Sequence, residues 1–290
     1  MKYEAIRKLS SEYSVRKMCY VLELKQSGYY QWVARQGKNE AKRRAAIMLA
    51  IKVGEVFEEN HRVYGYRKMQ RALEKKDIIL SVYRVRKIMR ENGYYPIVIK
   101  KYKPVHNGKS DGRYLKNVVN QQFRPEALNQ AWAGDITYIK TKLGFLYLAT
   151  VIELCNREVI GYTISDRMDT ELVKAALGNA IGRIGGDAKG IIIHSDRGCQ
   201  YSSKGYQAFL TEHKMIGCMS RPSCPYDNSC LESFFSSAKR ECIYRKEYDT
   251  IDEVKQDLFE YIELFYNRKR MHATLGYLTP IEYRMKLSTD

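Results

Sequence analysis

Three acidic residues in the second half of the chain have the types and spacing of a divalent-metal site. Asp135 lies within the segment WAGDITYI, Asp196 follows the apolar run GIIIHS, and Glu232 lies within LESFFSSAKRE. An ionised carboxylate among apolar neighbours is unfavourable unless a positive charge compensates it, and carboxylate oxygens are ligands that Mg²⁺ prefers. The three residues together predict an active site that holds a divalent cation.

Local sequence patterns predict how each acid is held. Apolar residues alternate around Asp135, which indicates a strand. Asp196 follows a continuous apolar run with turn residues at both ends, which is typical of a buried strand that carries the acid at its carboxyl end. Glu232 shares the flank of a predicted helix with Ser236 and Lys239, so that a carboxylate and an ammonium group lie on one face.

Each acid also has a simpler structural explanation. Ser229 and Glu232 form the S-x-x-E pattern of a capping box, so Glu232 could serve only to close the start of a helix. Asp196 could be a turn residue before Gly198, and Asp135 a buried acid with a paired cation. The combined spacing favours a site, because 35 residues separate Asp196 from Glu232 and a lysine follows Glu232 after seven residues.

This spacing resembles the D, D-35-E signature of retroviral integrases and related transposases. The segments WAGDITYI, HSDRGCQYSS, PYDNSCLESFFSSAKRE and YNRKRMHATLGYLTPIEY, in this order, resemble the OrfB transposases of the insertion-sequence family three elements. The resemblance implies that Asp135, Asp196 and Glu232 are catalytic metal ligands. It further implies DNA contacts by Lys239 and Asn228, and supporting roles for Ser195 and Gln200.

The same resemblance implies a reaction and its partners. Members of this family cut DNA at the element ends and join the freed 3′-hydroxyl to a new phosphate, by way of a circularised intermediate. We therefore expect a two-metal-ion DNA phosphodiester transferase that uses Mg²⁺, with Mn²⁺ as a substitute. The expected partners are double-stranded DNA, both terminal inverted repeats and target, and further copies of the chain. An OrfA partner or fusion is also expected, because no leucine-zipper heptads occur here.

The element order predicted after residue 124 is β-β-β-α-β-α-β-α, beginning with QAWAGDITYIKT. This order matches the α/β ribonuclease-H-like fold, a mixed five-stranded sheet with helices, in which the first and fourth strands are neighbours. That adjacency would bring Asp135 and Asp196 together, with the Glu232 helix across them. We assign residues 124–290 to an integrase-type catalytic core.

A late helix, DEVKQDLFEYIELFYNRKRMHATLG, is predicted to carry four polar residues near its end. The resemblance implies that they contact DNA, although the helix dipole alone would favour cations there. The four residues are Asn267, Arg268, Arg270 and His272.

The positive charge of the chain is confined to its first part. The formal net charge is +17, and residues 1–123 contain 28 Lys and Arg against 11 Asp and Glu, whereas the remaining residues contain 22 of each. A solubilising surface would explain positive charge but not this segregation. The distribution favours a nucleic-acid-binding region joined to a neutral catalytic body.

Helical patterns in the basic part predict a helix-turn-helix over residues 1–36, a second over 37–95 and a basic linker over 96–123. A simple packing pair of helices would equally explain the first. In the second, a long amphipathic helix covers residues 39–60 and the third helix starts at a Ser81 cap. That third helix is predicted to bury Val82, Val85, Ile88 and Met89 and to turn its cations toward DNA; an ordinary solvated face is the alternative. The cations are Arg84, Arg86, Lys87 and Arg90.

The cysteines and the apolar segments limit the class of protein. Seven cysteines without a C-x-x-C pair indicate reduced thiols. No apolar run is long enough to cross a membrane and no signal-peptide core is present, which predicts a cytoplasmic protein. The resemblance to the insertion-sequence transposases implies a bacterial, nucleoid-associated one. A zinc site is an alternative use of some thiols, although the spacings match no usual pattern. Its ligands would be His213, Cys218, Cys224 and Cys230.

Two other functions are compatible with these residues. A regulator of transposition could occupy the element ends without catalysis, and a plain metal-dependent nuclease would keep the chemistry but omit joining. The two predicted DNA-binding regions favour a transposase over a nuclease, because a general nuclease does not need to recognise a sequence.

Overall fold

The computed structural model describes residues 1–97, 125–220 and 229–289, and the chain divides into two compact units, Met1–Tyr95 and Pro96–Asp290. All but the first two residues of the predicted basic linker over 96–123 lie outside the described residues. Within the described part, no helix is long and apolar enough to cross a membrane.

Five helices form the first unit, and the third is much longer than the others. They are α1 (Lys2–Leu9), α2 (Val15–Val21), α3 (Gln26–Glu59), α4 (Tyr66–Glu74) and α5 (Val82–Glu91). The 34 residues of α3 pass without a break through residues 36 and 37, where the sequence analysis placed a limit between two regions. Only Gly37 interrupts the helix-forming residues there, and one glycine costs a helix only about 1 kcal/mol.

Each end of α3 carries its own group of buried side chains. At the start, Tyr29 packs with Ile6 of α1 and Cys19 of α2. At the end, Val53 and Phe57 are fully buried where α3 packs against α4 and α5. Residues 38–48 between them are exposed on every side. The helix predicted over 39–60 is therefore amphipathic only in its last turns.

The start of α5 agrees with the sequence except at its first residue. Ser81 caps the helix, since its Oγ accepts a hydrogen bond from the Arg84 backbone N–H at 3.2 Å. Val85 and Met89 are buried as predicted, but Val82 is 43% exposed. The prediction that Val82 belongs to the buried stripe is wrong, because this residue precedes the turns that pack against α3 and α4.

The second unit contains a mixed five-stranded sheet in the order β3-β2-β1-β4-β5. Its strands are β1 (Ala131–Thr141), β2 (Gly144–Glu153), β3 (Val159–Ser165), β4 (Ile192–Ser195) and β5 (Ile216–Met219). Strands β1, β2 and β3 pair antiparallel, whereas β4 pairs parallel with both β1 and β5. The predicted fold class, with first and fourth strands adjacent, is confirmed.

Some helices of the second unit pack on the sheet, and the last ones form the carboxyl-terminal part of the unit. They are α6 (Thr170–Arg183), α7 (Cys199–Ser202), α8 (Lys204–Glu212), α9 (Ser229–Glu241), α10 (Ile251–Phe259) and α11 (Pro280–Leu287). A π-helical segment, Glu260–Tyr266, continues α10, and 3₁₀ turns occupy Ile243–Arg245 and Ala273–Leu275. The main core joins α6 and α8 to the sheet around Trp132, Ile193 and Leu177.

The backbones of α6 and β3 touch at Gly161. A Cβ atom at this position would lie 2.7 Å from the Ala180 nitrogen and closer still to the Ala176 carbonyl oxygen. These neighbours are backbone atoms of α6, which cannot move aside as a side chain does. The glycine therefore permits the closest approach of helix and sheet.

We expect Gly161→Ala to lower the free energy of unfolding by at least about 1–3 kcal/mol, the usual effect of overpacking a core. Gly178→Ala, in the interior of α6, is the matched control. A Cβ there would meet only Phe209, at 3.9 Å, and alanine favours the helix by up to about 1 kcal/mol. Urea unfolding of both variants measures the difference, and equal stability of the two would contradict the packing described.

Candidate active site

The parallel pairing of β1 with β4 places two of the three predicted acids side by side. Gly134 pairs with Ser195; Asp135 is the next residue on β1, and Asp196 is the first residue after the end of β4. Neighbouring strands lie about 5 Å apart, so the two carboxylates occupy one edge of the same layer. Both acids are partly buried.

Backbone hydrogen bonds orient these carboxylates. Asp135 Oδ1 accepts from the Ile136 N–H at 2.7 Å, and Asp196 Oδ1 accepts from the Gly198 N–H at 2.9 Å. The second bond is the turn interaction that the sequence offered as an alternative explanation for Asp196. A turn role and a position beside Asp135 therefore coexist in one residue.

Tyr201 on α7 lies within reach of both acids and was given no role in the sequence analysis. Burial raises the pKa of its hydroxyl well above the usual value, and the negative charges of Asp135 and Asp196 raise it further. A Cβ at Gly134 would lie 3.6 Å from the tyrosine ring. That is an ordinary contact distance, so Gly134 is not required by the packing and no local signal in the sequence predicts the position of Tyr201.

Helix α9 packs against β1 and carries both Glu232 and Lys239. Lys239 Nζ lies 4.4 Å from the centroid of the Tyr138 ring. Burial lowers the pKa of Lys239, and the negative charge of Asp135 opposes that shift. Lys239 therefore lies against β1 near Asp135 and not on a free surface.

Glu232 is exposed in the first turn of α9, and it does not form a compact group with the aspartates. Within residues 1–97, 125–220 and 229–289, no three His, Cys, Asp or Glu side chains lie close enough together to hold a metal ion. An acid in a first helical turn is also favoured by the helix dipole, so the capping explanation for Glu232 stays open. The adjacent pair Asp135 and Asp196 has the hard oxygen donors that suit a divalent cation, which would also relieve their mutual repulsion.

The two supporting residues predicted near Asp196 both bind neighbouring backbone. The Ser195 carbonyl accepts from the Ser220 N–H at 3.0 Å, which ties β4 to the end of β5. Gln200 Nε2 donates to the Met168 carbonyl at 3.1 Å, which ties α7 to the loop after β3. Their catalytic support stays a prediction, and Asn228 lies outside the described residues.

The alternative zinc site named His213, Cys218, Cys224 and Cys230. Cys218 Sγ lies 3.1 Å from His194 Nδ1, and Cys230 lies against the Arg157 guanidinium. These two thiols thus have separate neighbours, and the six cysteines in the described ranges form no disulfide. Cys224 lies outside those ranges.

The polar residues of YNRKRMHATLG follow the π-helical segment and do not lie on the helix predicted for them. Asn267 is fully buried and forms two 3.0 Å hydrogen bonds with the backbone N–H and C=O of Val159. Arg270 donates two bonds to Glu241, at 2.7 and 2.8 Å. Burial opposes the charge of Arg270, but the bonds to Glu241 outweigh it and raise the pKa of the guanidinium. The expectation that Asn267 and Arg270 contact DNA is wrong, because internal partners already use their polar groups.

In the first unit, the four cations predicted to contact DNA all lie on the exposed side of α5. Arg86 extends over the Tyr66 ring at 5.5 Å, and Lys87 lies 3.9 Å from Glu91. Such exposed ion pairs are weak and exchange readily for phosphate contacts. The residues are Arg84, Arg86, Lys87 and Arg90.

Comparison with known families and proteins identifies the chain. The family model described as an integrase core domain matches residues 125–225 and a second of that description matches 232–287, while an HTH-like domain matches 42–102. Transposase InsF for insertion sequence IS3A, from Escherichia coli strain K12, is 36% identical over 286 residues, 99% of each chain. The chain belongs to the IS3 family of transposases. The transposase for insertion sequence element IS904, from Lactococcus lactis, is 38% identical over 237 residues, 81% of this transposase and 93% of the relative.

Solved structures with similarity to this transposase include retroviral integrases. A simian T-cell lymphotropic virus intasome, in complex with PP2A regulatory subunit B56 gamma, has a TM-score of 0.46 and 17% identity, and the match covers 71% of this chain and 67% of that one. The HTLV-2 integrase catalytic core domain in complex with magnesium has a TM-score of 0.43 and 16% identity, over 56% and 99%. The family assignment rests on the sequence relatives.

We expect Asn267→Ala to destabilise the catalytic unit by about 2–5 kcal/mol, because it leaves two buried backbone groups of Val159 without partners and each such loss costs about 1–3 kcal/mol. Arg268→Ala, at the exposed neighbouring position, should change stability by less than about 0.5 kcal/mol. Chemical denaturation of both variants measures this. Comparable losses in the two would show that the Asn267 bonds contribute little.

Proposed function

We propose that this transposase cuts DNA at the ends of its insertion sequence and transfers the freed 3′-hydroxyl to target DNA, with Asp135, Asp196 and Glu232 as ligands of Mg²⁺. The observation that carries the proposal is the placement of Asp135 beside Asp196 on paired parallel strands within a matched integrase core domain. Mn²⁺, which also accepts carboxylate oxygens, would substitute.

Different residues of the site would bind the metal ions, retain a proton and bind a phosphate. When bound, two Mg²⁺ ions would supply activation of the attacking water or 3′-hydroxyl and stabilisation of the leaving oxygen. The Tyr201 hydroxyl keeps its proton at working pH, since burial and the two acids raise its pKa, and can donate a hydrogen bond that orients a carboxylate. Lys239 presents a cation beside Asp135, where a phosphate of the DNA would be bound.

Glu232 would complete the ligand set when metal and DNA bind. Its side chain is exposed in the first turn of α9, the helix that packs on β1. An exposed carboxylate can change rotamer at small energetic cost, whereas the two aspartates are already oriented by backbone bonds. The strand acids would thus form the fixed part of the site and Glu232 its adjustable part.

The first unit would recognise the element ends. The matched HTH-like domain contains α5, whose exposed cations suit contacts with phosphates and base edges. Joining two ends to one target calls for more than one active site, which motivates a homo-oligomer on DNA, alone or with an OrfA partner.

We expect Glu232→Gln and Asp196→Asn to abolish joining, with rates lower by on the order of 10³-fold or more, because loss of a metal ligand removes several kcal/mol of stabilisation and about 1.4 kcal/mol is a factor of ten. The assay contains the purified chain, a labelled duplex of the element end with a free 3′-hydroxyl, a target plasmid and Mg²⁺ or Mn²⁺. Glu212→Gln makes the same chemical change at an exposed acid on α8 and should leave joining intact.

Each other outcome of this assay selects another function. Duplex that is shifted but never joined, by the unaltered chain as well as the variants, would mean that this chain only binds DNA, either as a regulator or because the chemistry needs an OrfA partner. Cleavage without joining would identify a nuclease. Joining that survives Glu232→Gln would remove Glu232 from the ligand set.

The salt dependence of DNA binding tests the role of α5. The slope of log K against log salt concentration is negative, and the Arg84→Ala/Arg90→Ala double variant should make it less steep by about 2. Each lost phosphate contact contributes about 0.9. Lys52→Ala removes an exposed cation from α3 and should leave the slope unchanged. Fluorescence anisotropy with an element-end duplex at several salt concentrations provides the measurement, and equal slopes for all three proteins would exclude α5 as the contact surface.

A further inference from the structure

A cleft of about 570 Å³ opens beside the candidate active site, between the tip of the β1–β2 hairpin and the segment that follows α9. Aromatic side chains form much of its wall: Tyr138, Phe145, Tyr244 and Tyr248. The volume lies within the range of small-molecule sites. The proposed function assigns roles to the three acids and to the helix-turn-helix, but it assigns none to this cleft.

Cations surround the aromatic wall. Lys140 is exposed at the rim, and Lys246 Nζ lies 5.2 Å from the centroid of the Tyr248 ring. Lys246 also pairs with Asp257 at 2.9 Å, and Glu247 is an acid in the lining. Aromatic rings interleaved with lysines are typical of surfaces that bind single-stranded nucleic acid, where bases stack on rings and lysines neutralise phosphates.

The cleft approaches the candidate site at Tyr138, whose ring lies against Lys239. Tyr138 forms its wall, carries Lys239 over its ring at 4.4 Å and meets Phe145 edge-on at 5.7 Å. Asp135 precedes Tyr138 by three residues on β1, about 10 Å along the strand, and its side chain points to the opposite face. A DNA strand rises about 3.4 Å per nucleotide, so a ligand in the cleft would lie only a few nucleotides from a phosphate at Asp135.

Two contacts hold the tip of the β1–β2 hairpin against the segment that follows α9, and they leave the Phe145 ring accessible. The Lys142 N–H donates to the Tyr248 carbonyl at 3.0 Å, and Lys142 Nζ lies 2.8 Å from Asp249. Phe145 is nevertheless 52% exposed. Base pairing and stacking keep the faces of bases covered within a duplex, so only an unpaired nucleotide could stack on this ring.

We propose that this cleft binds an unpaired nucleotide of the DNA substrate beside the reacting phosphate, with its base against Phe145 and its phosphate toward Lys140. The inference rests on the proposed function, because it takes the Asp135 edge as the place where DNA reacts. It adds a binding site for single-stranded DNA to the catalytic unit, separate from the duplex recognition by the first unit.

The test compares two element-end duplexes, one blunt and one with a short single-stranded extension that contains a fluorescent purine analogue. Stacking on an aromatic ring quenches such an analogue. We expect the full chain to quench the analogue and to bind the extended duplex more tightly. Phe145→Ala should lose the quench and weaken binding of the extended duplex by about 5- to 150-fold, the usual effect of removing one stacking ring, and leave blunt binding unchanged.

Two control variants separate stacking from a general change in the hairpin. Phe145→Tyr keeps a ring and should keep the quench, and Leu143→Ala removes an 84% exposed side chain from the same turn without touching the cleft lining. Equal quenching in Phe145→Ala and the unaltered chain would overturn the proposal. So would a Lys140→Ala variant that weakens blunt and extended duplexes equally, because that result would make the rim a duplex-phosphate contact.

Joining assays run in parallel distinguish this inference from the proposed function. If Phe145→Ala still joins DNA and its quench is unchanged, the transposase assignment stands, but the cleft does not bind the unpaired nucleotide. A quench that depends on Phe145 without any joined product would retain the cleft as a DNA-binding site and remove the reaction.

Discussion

The candidate active site depends on the register of one parallel strand pair. Side chains alternate along a strand, so a slip of β1 against β4 by one residue would send Asp135 to the opposite face from Asp196. On its other side, β1 is held in register with β2 by a buried network at its start. Trp132 Nε1 donates to Glu153 Oε2 at 2.9 Å, and the same carboxylate oxygen accepts from the Asn129 N–H at 2.8 Å. Burial raises the pKa of Glu153, and these bonds oppose that shift. A structural acid on β2 thus fixes the register of the strand that carries Asp135.

A second buried acid organises the carboxyl-terminal part. Glu158, in the turn between β2 and β3, accepts from Arg284 of α11 at 2.9 Å and lies 3.6 Å from Arg183 of α6. Asn267 binds the next residue, Val159: its Oδ1 accepts from the Val159 N–H and its Nδ2 donates to the Val159 carbonyl. Removing one partner from a buried ion pair is strongly destabilising, so these contacts specify where the last helices dock. The polar motif near the end of the chain therefore serves mainly to attach those helices to the sheet.

Sequence reasoning succeeded where local pattern and element order determine the outcome. The alternation around Asp135, the apolar run before Asp196 and the order of strands and helices together predicted the neighbouring strands that the structure contains. The Ser81 cap was equally readable, because its partner lies three residues away.

The predictions that were wrong or incomplete have three separate causes. Asn267 and Arg270 are polar and follow a helix-like pattern, but their partners lie 108 and 29 residues away in the chain, so no local signal reveals them. The continuity of α3 through Gly37 was missed because a glycine weakens a helix without ending it. Glu232 shows a further limit, since a first-turn acid satisfies both a capping role and a metal-binding role.

The exposed middle of α3 gives its length a geometric meaning. Residues 38–48 bury no side chain and Glu40 forms only an exposed ion pair with Arg7 of α1, at 4.0 Å, so the buried groups at the two ends of the helix are related mainly through the helix itself. Each residue of an α-helix advances the chain by about 1.5 Å and turns it by about 100°. One inserted or deleted residue in this stretch would rotate the α1–α2 cluster by more than a quarter turn relative to α4 and α5 without disturbing a single core contact. The number of residues in α3 thus determines how the α1–α2 cluster is rotated relative to α4 and α5. A change in that number would leave the buried contacts of both clusters intact.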